Sequence, residues 1–329
     1  MDRPATLNAE RLLRRLEWRV VRRLDGRLQG DYRTLFRGSG VDFTDLREYE
    51  PGDDLRHIDW NVTARMDTPF VREYVEDREV TAWLLLDRSA SMAFGPVDRQ
   101  KSLVLAEIAT TIAHILVRGG NRVGAAMYDG TISTIPPGQG RNQVLRISQA
   151  LLQPASDTAG WETGGKASRT SGKASRTSGR ASRTSGSTDR DRATTDLGAL
   201  LRAALGLARR RSVLVIVSDF ITQPGWERPL ALLARRHDVV AIQVVDPRES
   251  ELPAVGMVYV EDPETGEQIF VDTDDPVFRQ SLHDLAAQRQ DELVAAARRA
   301  GTEIHVVATD DDLVRALARI SDLRKRRRR

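Results

Sequence analysis

The sequence predicts an α/β fold built on a doubly wound, mostly parallel sheet, with an added β-hairpin and an N-terminal helical and loop extension. Two apolar runs carry that prediction. Residues 82–86 (AWLLL) and 213–217 (VLVIV) hold no charge, and each is followed within two positions by an acid, Asp87 or Asp219. Uncharged strands suit the interior of a parallel sheet covered on both faces. Stretches with helical periodicity lie between and after them, the alternation that a sheet wrapped in helices requires.

Taken in order, residues 7–28 place Leu12, Leu16, Val20, Leu24 and Leu28 four apart among arginines, with Leu13 and Val21 widening the stripe. That spacing predicts an amphipathic helix docking on its own domain. Residues 30–78 are dense in turn formers and aromatics. Within them Pro51-Gly52-Asp53-Asp54 reads as a turn, since Pro presets φ and Gly accepts positive φ. After the first apolar run, residues 98–118 read as a helix ended by Gly119-Gly120-Asn121. Residues 122–128 and 131–135 read as strands around an Asp129-Gly130 turn, and 144–152 as a short helix.

Residues 153–193 are a polar insertion containing three copies of one heptad, KASRTSG, KASRTSG and RASRTSG. With no large apolar residue after Trp161 it cannot offset its ordering entropy, so it reads as a flexible linker. Thr194, Thr195 and Asp196 form an N-cap cluster opening a helix over 197–210. Strand 213–218, helix 226–236 and strand 239–245 follow, then a hairpin over 255–273. A long helix over 277–299, a strand over 303–308 and a helix over 311–320 complete the fold. Acids outnumber bases ten to one between Asp246 and Asp275, giving the hairpin an acidic face. The chain thus divides into an extension (1–78), the α/β domain (79–320) and a basic tail (321–329).

Composition narrows the function classes. The chain has no cysteine, which excludes disulfides and thiolate metal sites. No apolar run approaches the roughly 20 residues of a membrane span, and the N-terminus carries charges where a secretion signal needs an apolar core. Both point to a soluble cytoplasmic protein. The net charge of +3 is set by the six bases from Arg324 to Arg329; without them acids exceed bases. The basic character is therefore read as a short solvated tail. Neither it nor the repeats interleave aromatics with arginines as a nucleic-acid platform does, which argues against nucleic acid as a partner.

Chemistry is concentrated where the apolar runs stop. Asp87, Ser89 and Ser91 put one carboxylate and two hydroxyls at alternate positions; Asp219 ends the second run, and Thr195 opens a helix. At the switch point of a doubly wound sheet these loops can converge on one crevice. Two carboxylates and three hydroxyls are hard oxygen donors, suited to Mg²⁺, with Mn²⁺ or Ca²⁺ as alternatives. One coordination position stays open for an acidic side chain of a partner. Because Asp87 is placed at the surface end of its strand, its replacement by alanine is expected to leave the fold intact.

The pattern Asp87-x-Ser89-x-Ser91, Thr195 at a helix start and Asp219 at a strand end resembles the metal-ion-dependent adhesion site of von Willebrand factor A domains. More narrowly, GSGVDFTDLREYEPGDDLRHIDWNVTAR, then VREY, then DRSASMAFG resembles the bacterial family known as domain of unknown function fifty-eight. The late segment Asp262-Pro263-Glu264-Thr265-Gly266-Glu267 resembles it too. The resemblance implies that Asp87, Ser89, Ser91, Thr195 and Asp219 hold the metal. It also implies a non-enzymatic adaptor role beside a MoxR-type AAA+ ATPase, in maturing or remodelling other proteins. Asp53, Asp54, Arg56, Asp59 and Trp60, in the family-specific turn region, are candidates for a partner surface. Thr194 stands where the family has a glycine, which leaves Thr194 and Thr195 both open as the ligand. The competing reading is a metal-assisted phosphatase or nuclease using Asp87. Against it stands Ser89, where a phosphoryl-accepting acid commonly has a second acid, and a site with few carboxylates for two-metal chemistry.

Overall fold

The computed structural model describes residues 45–50, 55, 58–66, 68–73, 80–95, 99–153, 195–261 and 268–328. The expected helix over 7–28, the Asp53–Asp54 turn, Arg56, Thr194, almost all of the repeat insertion and the 262–267 turn lie outside the described residues.

A small antiparallel pair, β1 (Asp45–Glu48) and β2 (Phe70–Glu73), brackets a short helix α1 (Trp60–Met66). The main body follows as β3 (Thr81–Asp87), α2 (Lys101–Arg118), β4 (Arg122–Tyr128), β5 (Ile132–Gly138) and α3 (Gly140–Leu152). After the insertion come α4 (Leu197–Leu207), β6 (Val213–Ser218), α5 (Glu227–Arg236) and β7 (Asp238–Val245). The hairpin β8 (Met257–Glu261) and β9 (Gln268–Asp272), then α6 (Pro276–Arg299), β10 (Ile304–Ala308) and α7 (Leu313–Arg328), complete it.

Six strands form one sheet in the order β10-β7-β6-β3-β4-β5. All neighbours are parallel except β5, which returns antiparallel beside β4. As an edge strand, β5 can carry Pro136 and Pro137, which donate no ladder hydrogen bond. The apolar runs become the two central strands because both of their faces are covered. Ala82, Leu84 and Leu86 with Val213, Val215 and Val217 face the layer of α2, α3 and α7. Trp83 and Leu85 with Leu214 and Ile216 face the layer of α4, α5 and α6. Leu84, Leu85 and Leu86 are wholly buried, each contributing about 1.5–3 kcal/mol by removal from water.

The chain enters the sheet at β3 and builds outward through β4 and β5, then returns to β6 and builds the other way through β7 and β10. The order reverses between β3 and β6, so loops leaving their carboxyl ends diverge and open a crevice. Asp87 and Asp219 leave the sheet there.

Several boundaries differ from the sequence reading. The helix expected over 98–118 begins at Lys101, and that expected over 197–210 stops at Leu207 with Ala208 as its cap. The final helix, expected to end at residue 320 before a basic tail, continues to Arg328. The cause is an anchor: Arg324 donates to Asp238 Oδ1 at 2.6 Å and to the Val239 carbonyl at 3.1 Å. The hairpin is a separate two-stranded sheet, with the Tyr259 and Phe270 rings in contact at a 4.7 Å centroid separation, tilted 45° to each other and exposed to solvent. Among the described residues, no helix is long and apolar enough to cross a membrane.

Candidate functional site at the sheet switch point

Asp87 is the last residue of β3, and its side chain is 1% exposed, so it is buried rather than at the surface end expected from sequence. Its Oδ1 accepts the Ser89 amide at 3.0 Å, which bends the chain back into a turn. Its Oδ2 accepts the Ser218 hydroxyl at 2.6 Å from the end of the neighbouring strand. The turn leads into a 3-10 helix, Ala90–Ala93, and sets the Ser89 and Ser91 hydroxyls 3.0 Å apart. Arg88 holds the same loop from the other side, donating to the Ala150 carbonyl at the end of α3 at 3.2 Å and to the Gln153 carbonyl.

Asp219 follows β6 and is equally buried. Its Oδ1 accepts the Ile221 amide at 3.0 Å, and its Oδ2 accepts from Lys101 Nζ at 2.8 Å. Phe220, next in the chain, sits at φ 59°, a left-handed backbone that costs a non-glycine residue about 1–2 kcal/mol. Two contacts hold it there. Its amide donates to Ser218 Oγ at 2.9 Å, and its ring meets Trp226 edge-on at 5.7 Å. Backbone strain maintained in this way aims Asp219 and the loop beyond it.

Thr195, 1% exposed, precedes α4, whose N-cap is Asp196. The Thr195 carbonyl accepts the Thr222 hydroxyl at 2.7 Å and the Gln223 amide at 3.0 Å, which ties the start of α4 to the loop after Asp219. The structure therefore gathers Asp87, Ser89, Ser91 and Asp219 at the switch point, with Thr195 bound to the same loop system. Of the turn-region candidates, Asp59 and Trp60 are among the described residues. Asp59 lies between β1 and β2 in sequence and caps α1, accepting the Val62 amide at 3.3 Å; Trp60 is 70% exposed.

Electrostatics mark Asp87 and Lys101. Burial first, and then the nearby Asp219 charge, raise the Asp87 carboxyl from 3.8 to about 6; hydrogen bonds from Ser218 and Ser89 act in the opposite sense. Burial alone would lower Lys101, but Asp219 and Glu249 outweigh it and hold the ammonium above its ordinary 10.5. Ser218 and Lys101 were missed from sequence. Ser218 reads as the last residue of a strand, while Lys101 reads as one more charge at a helix start.

The donor chemistry fits a hard divalent cation. Among the described residues no three His, Cys, Asp or Glu side chains meet as ligands; the set is two carboxylates with neighbouring hydroxyls, all oxygen. A buried Asp87 whose charge is penalised by Asp219 is a group that a cation would relieve.

Residues 45–292 match the family described as protein of unknown function DUF58. The chain belongs to the DUF58 family. An uncharacterised protein of Mycobacterium tuberculosis is 33% identical over 318 residues, covering 95% of this chain and 89% of that one. Among solved structures, the chain is similar to the conserved hypothetical protein BatB from Bacteroides thetaiotaomicron. The match has a TM-score of 0.41 at 14% identity over 76% of this chain and 100% of that one. An aerotolerance-related membrane protein from Bacteroides fragilis gives a TM-score of 0.43 at 15% identity over 75% of this chain and 100% of that one.

Proposed function

We propose that this DUF58 chain is a divalent-cation-dependent protein-interaction module of the von Willebrand A type, acting as a non-enzymatic adaptor for a MoxR-type AAA+ ATPase. The observation that carries the reading is the buried pair Asp87 and Asp219, beside the paired hydroxyls of Ser89 and Ser91, at the point where strand order reverses. Asp87, Ser89, Ser91, Thr195 and Asp219 would hold the cation, with Mg²⁺ the first choice. When bound, it supplies a Lewis-acidic position open to a carboxylate from a partner protein. Ser218 and the Ser89 amide fix the orientation of Asp87, and the Ile221 amide fixes that of Asp219. These residues order the carboxylates before any partner arrives, which reduces the entropy lost on binding.

The test is capture of partners from the native host with Mg²⁺, with chelator, and with Asp87→Ala as bait. The expected result is an AAA+ ATPase retained only by the wild-type chain with metal. Retention indifferent to both metal and mutation overturns the reading.

A further inference from the structure

Lys101 is the first residue of α2, yet its side chain is 0% exposed. A buried ammonium is tolerated only where carboxylates pair it. Here the pairing carboxylates come from two separate elements. Nζ donates to Asp219 Oδ2 at 2.8 Å in the loop after β6 and to Glu249 Oε1 at 2.5 Å in the 3-10 turn Pro247–Glu249 after β7. Glu249 is itself fixed, because its Oε2 accepts the Asp246 amide at 3.2 Å. The lysine is thus held from both sides, and one of its two carboxylates belongs to the candidate cation site.

We propose that Lys101 is the built-in counter-cation of the Asp87–Asp219 site and sets how tightly a divalent cation is held there; the inference rests on the cation-site reading above. Lys101 engages one oxygen of Asp219 while the Ile221 amide engages the other. Its positive charge therefore lies against a carboxylate that an incoming cation must share. Two like charges competing for one carboxylate in a water-poor crevice weaken the binding of the mobile one. Lys101 makes the site a modest binder, and a partner's carboxylate adds the missing negative charge. The lysine is a positioning and affinity-setting residue: it acts through Asp219, not by touching the cation.

The experiment titrates Mn²⁺ into the full chain, reading free aqua-Mn²⁺ by its paramagnetic resonance signal and the protein by thermal melts. Wild type, Asp87→Asn, Lys101→Met and the double variant Lys101→Met/Glu249→Gln are compared. The double variant leaves no unpaired Glu249 and keeps the test alive if the single variant does not fold. The expected result is Mn²⁺ binding at least about tenfold tighter in the lysine variants, with a larger Mn²⁺-induced rise in Tm than in wild type. A lysine that served only as a structural tie would lower Tm with and without Mn²⁺ and leave the affinity unmoved. Wild type binding Mn²⁺, Asp87→Asn losing it, and the lysine variants binding as wild type or more weakly would overturn this inference alone. No binding by any of the four would overturn the cation site and the lysine's role together.

Discussion

The Ser218 hydroxyl donates to Asp87 Oδ2 at 2.6 Å, joining the carboxyl ends of two adjacent parallel strands across 131 positions of sequence. Ser218 Oγ in turn accepts the Phe220 amide at 2.9 Å, so one buried side chain both steadies the Asp87 charge and holds the left-handed residue that aims Asp219. Ser218→Ala removes both contacts. Hydrogen bonds to charged groups contribute about 1.5–3 kcal/mol, and an orphaned buried amide adds to the loss. Denaturant melts are expected to show destabilisation of about 2–3 kcal/mol. A change below about 0.5 kcal/mol, the scale of an ordinary surface substitution, would mean that the hydroxyl is not holding the loop.

Asp87→Asn tests the cost of that buried charge directly. The amide keeps an acceptor for the Ser89 N–H but removes the repulsion from Asp219. Melts at pH 7.5 in chelator are expected to place the variant above wild type in Tm, with the Mg²⁺-dependent rise abolished. A variant that is less stable in chelator, or that still gains a wild-type Tm shift from Mg²⁺, contradicts the electrostatic account.

The pH dependence follows from the same residue. Asp87 is raised in the folded state from 3.8 to about 6, so folding favours its protonated form. Its contribution is fully present below about pH 4 and is lost as pH rises through about 6. The difference between wild type and Asp87→Asn isolates this group from the other titrations. It is expected to grow in favour of the variant between pH 4 and pH 7 and then level off. Divalent-cation affinity runs the other way, falling below about pH 6 as protons compete for the carboxylate.

What the sequence revealed and what it hid divide along a physical line. Local pattern was sufficient for β3 and β6, because a run such as AWLLL can sit only where both faces are covered, and Leu84 and Leu85 do face opposite layers. The positions of Asp87 and Asp219 followed, since a carboxylate ending a central strand lies at the carboxyl end of the sheet, where loops diverge, but the burial of Asp87 did not. Lys101 was not legible, because its burial depends on Asp219 and Glu249, 118 and 148 positions away. A charge reads as solvated until its partners are placed. The capping role of Asp59 was hidden for a related reason: a capping acid and a recognition acid look alike before the helix it caps is seen.

The C-terminal run hides its anchor in the same way. Six consecutive bases read as a solvated tail, yet Arg324 is only partly exposed. It lies four positions after the buried Ile320, on the same face of α7, and reaches Asp238 at the start of β7. The bond to Asp238 Oδ1 at 2.6 Å and the bond to the Val239 carbonyl at 3.1 Å fasten the last turns of the helix to the sheet. A partly buried ion pair with a second hydrogen bond contributes more than the few tenths of a kcal/mol of an exposed pair. Arg324→Ala is expected to cost about 1 kcal/mol in global stability. Its larger effect should be local, with amide protection lost over residues 321–328 and faster tryptic cleavage there. Unchanged hydrogen exchange in that segment would show that the helix end is held by its own propensity, and that the Arg324–Asp238 pair contributes nothing to its order.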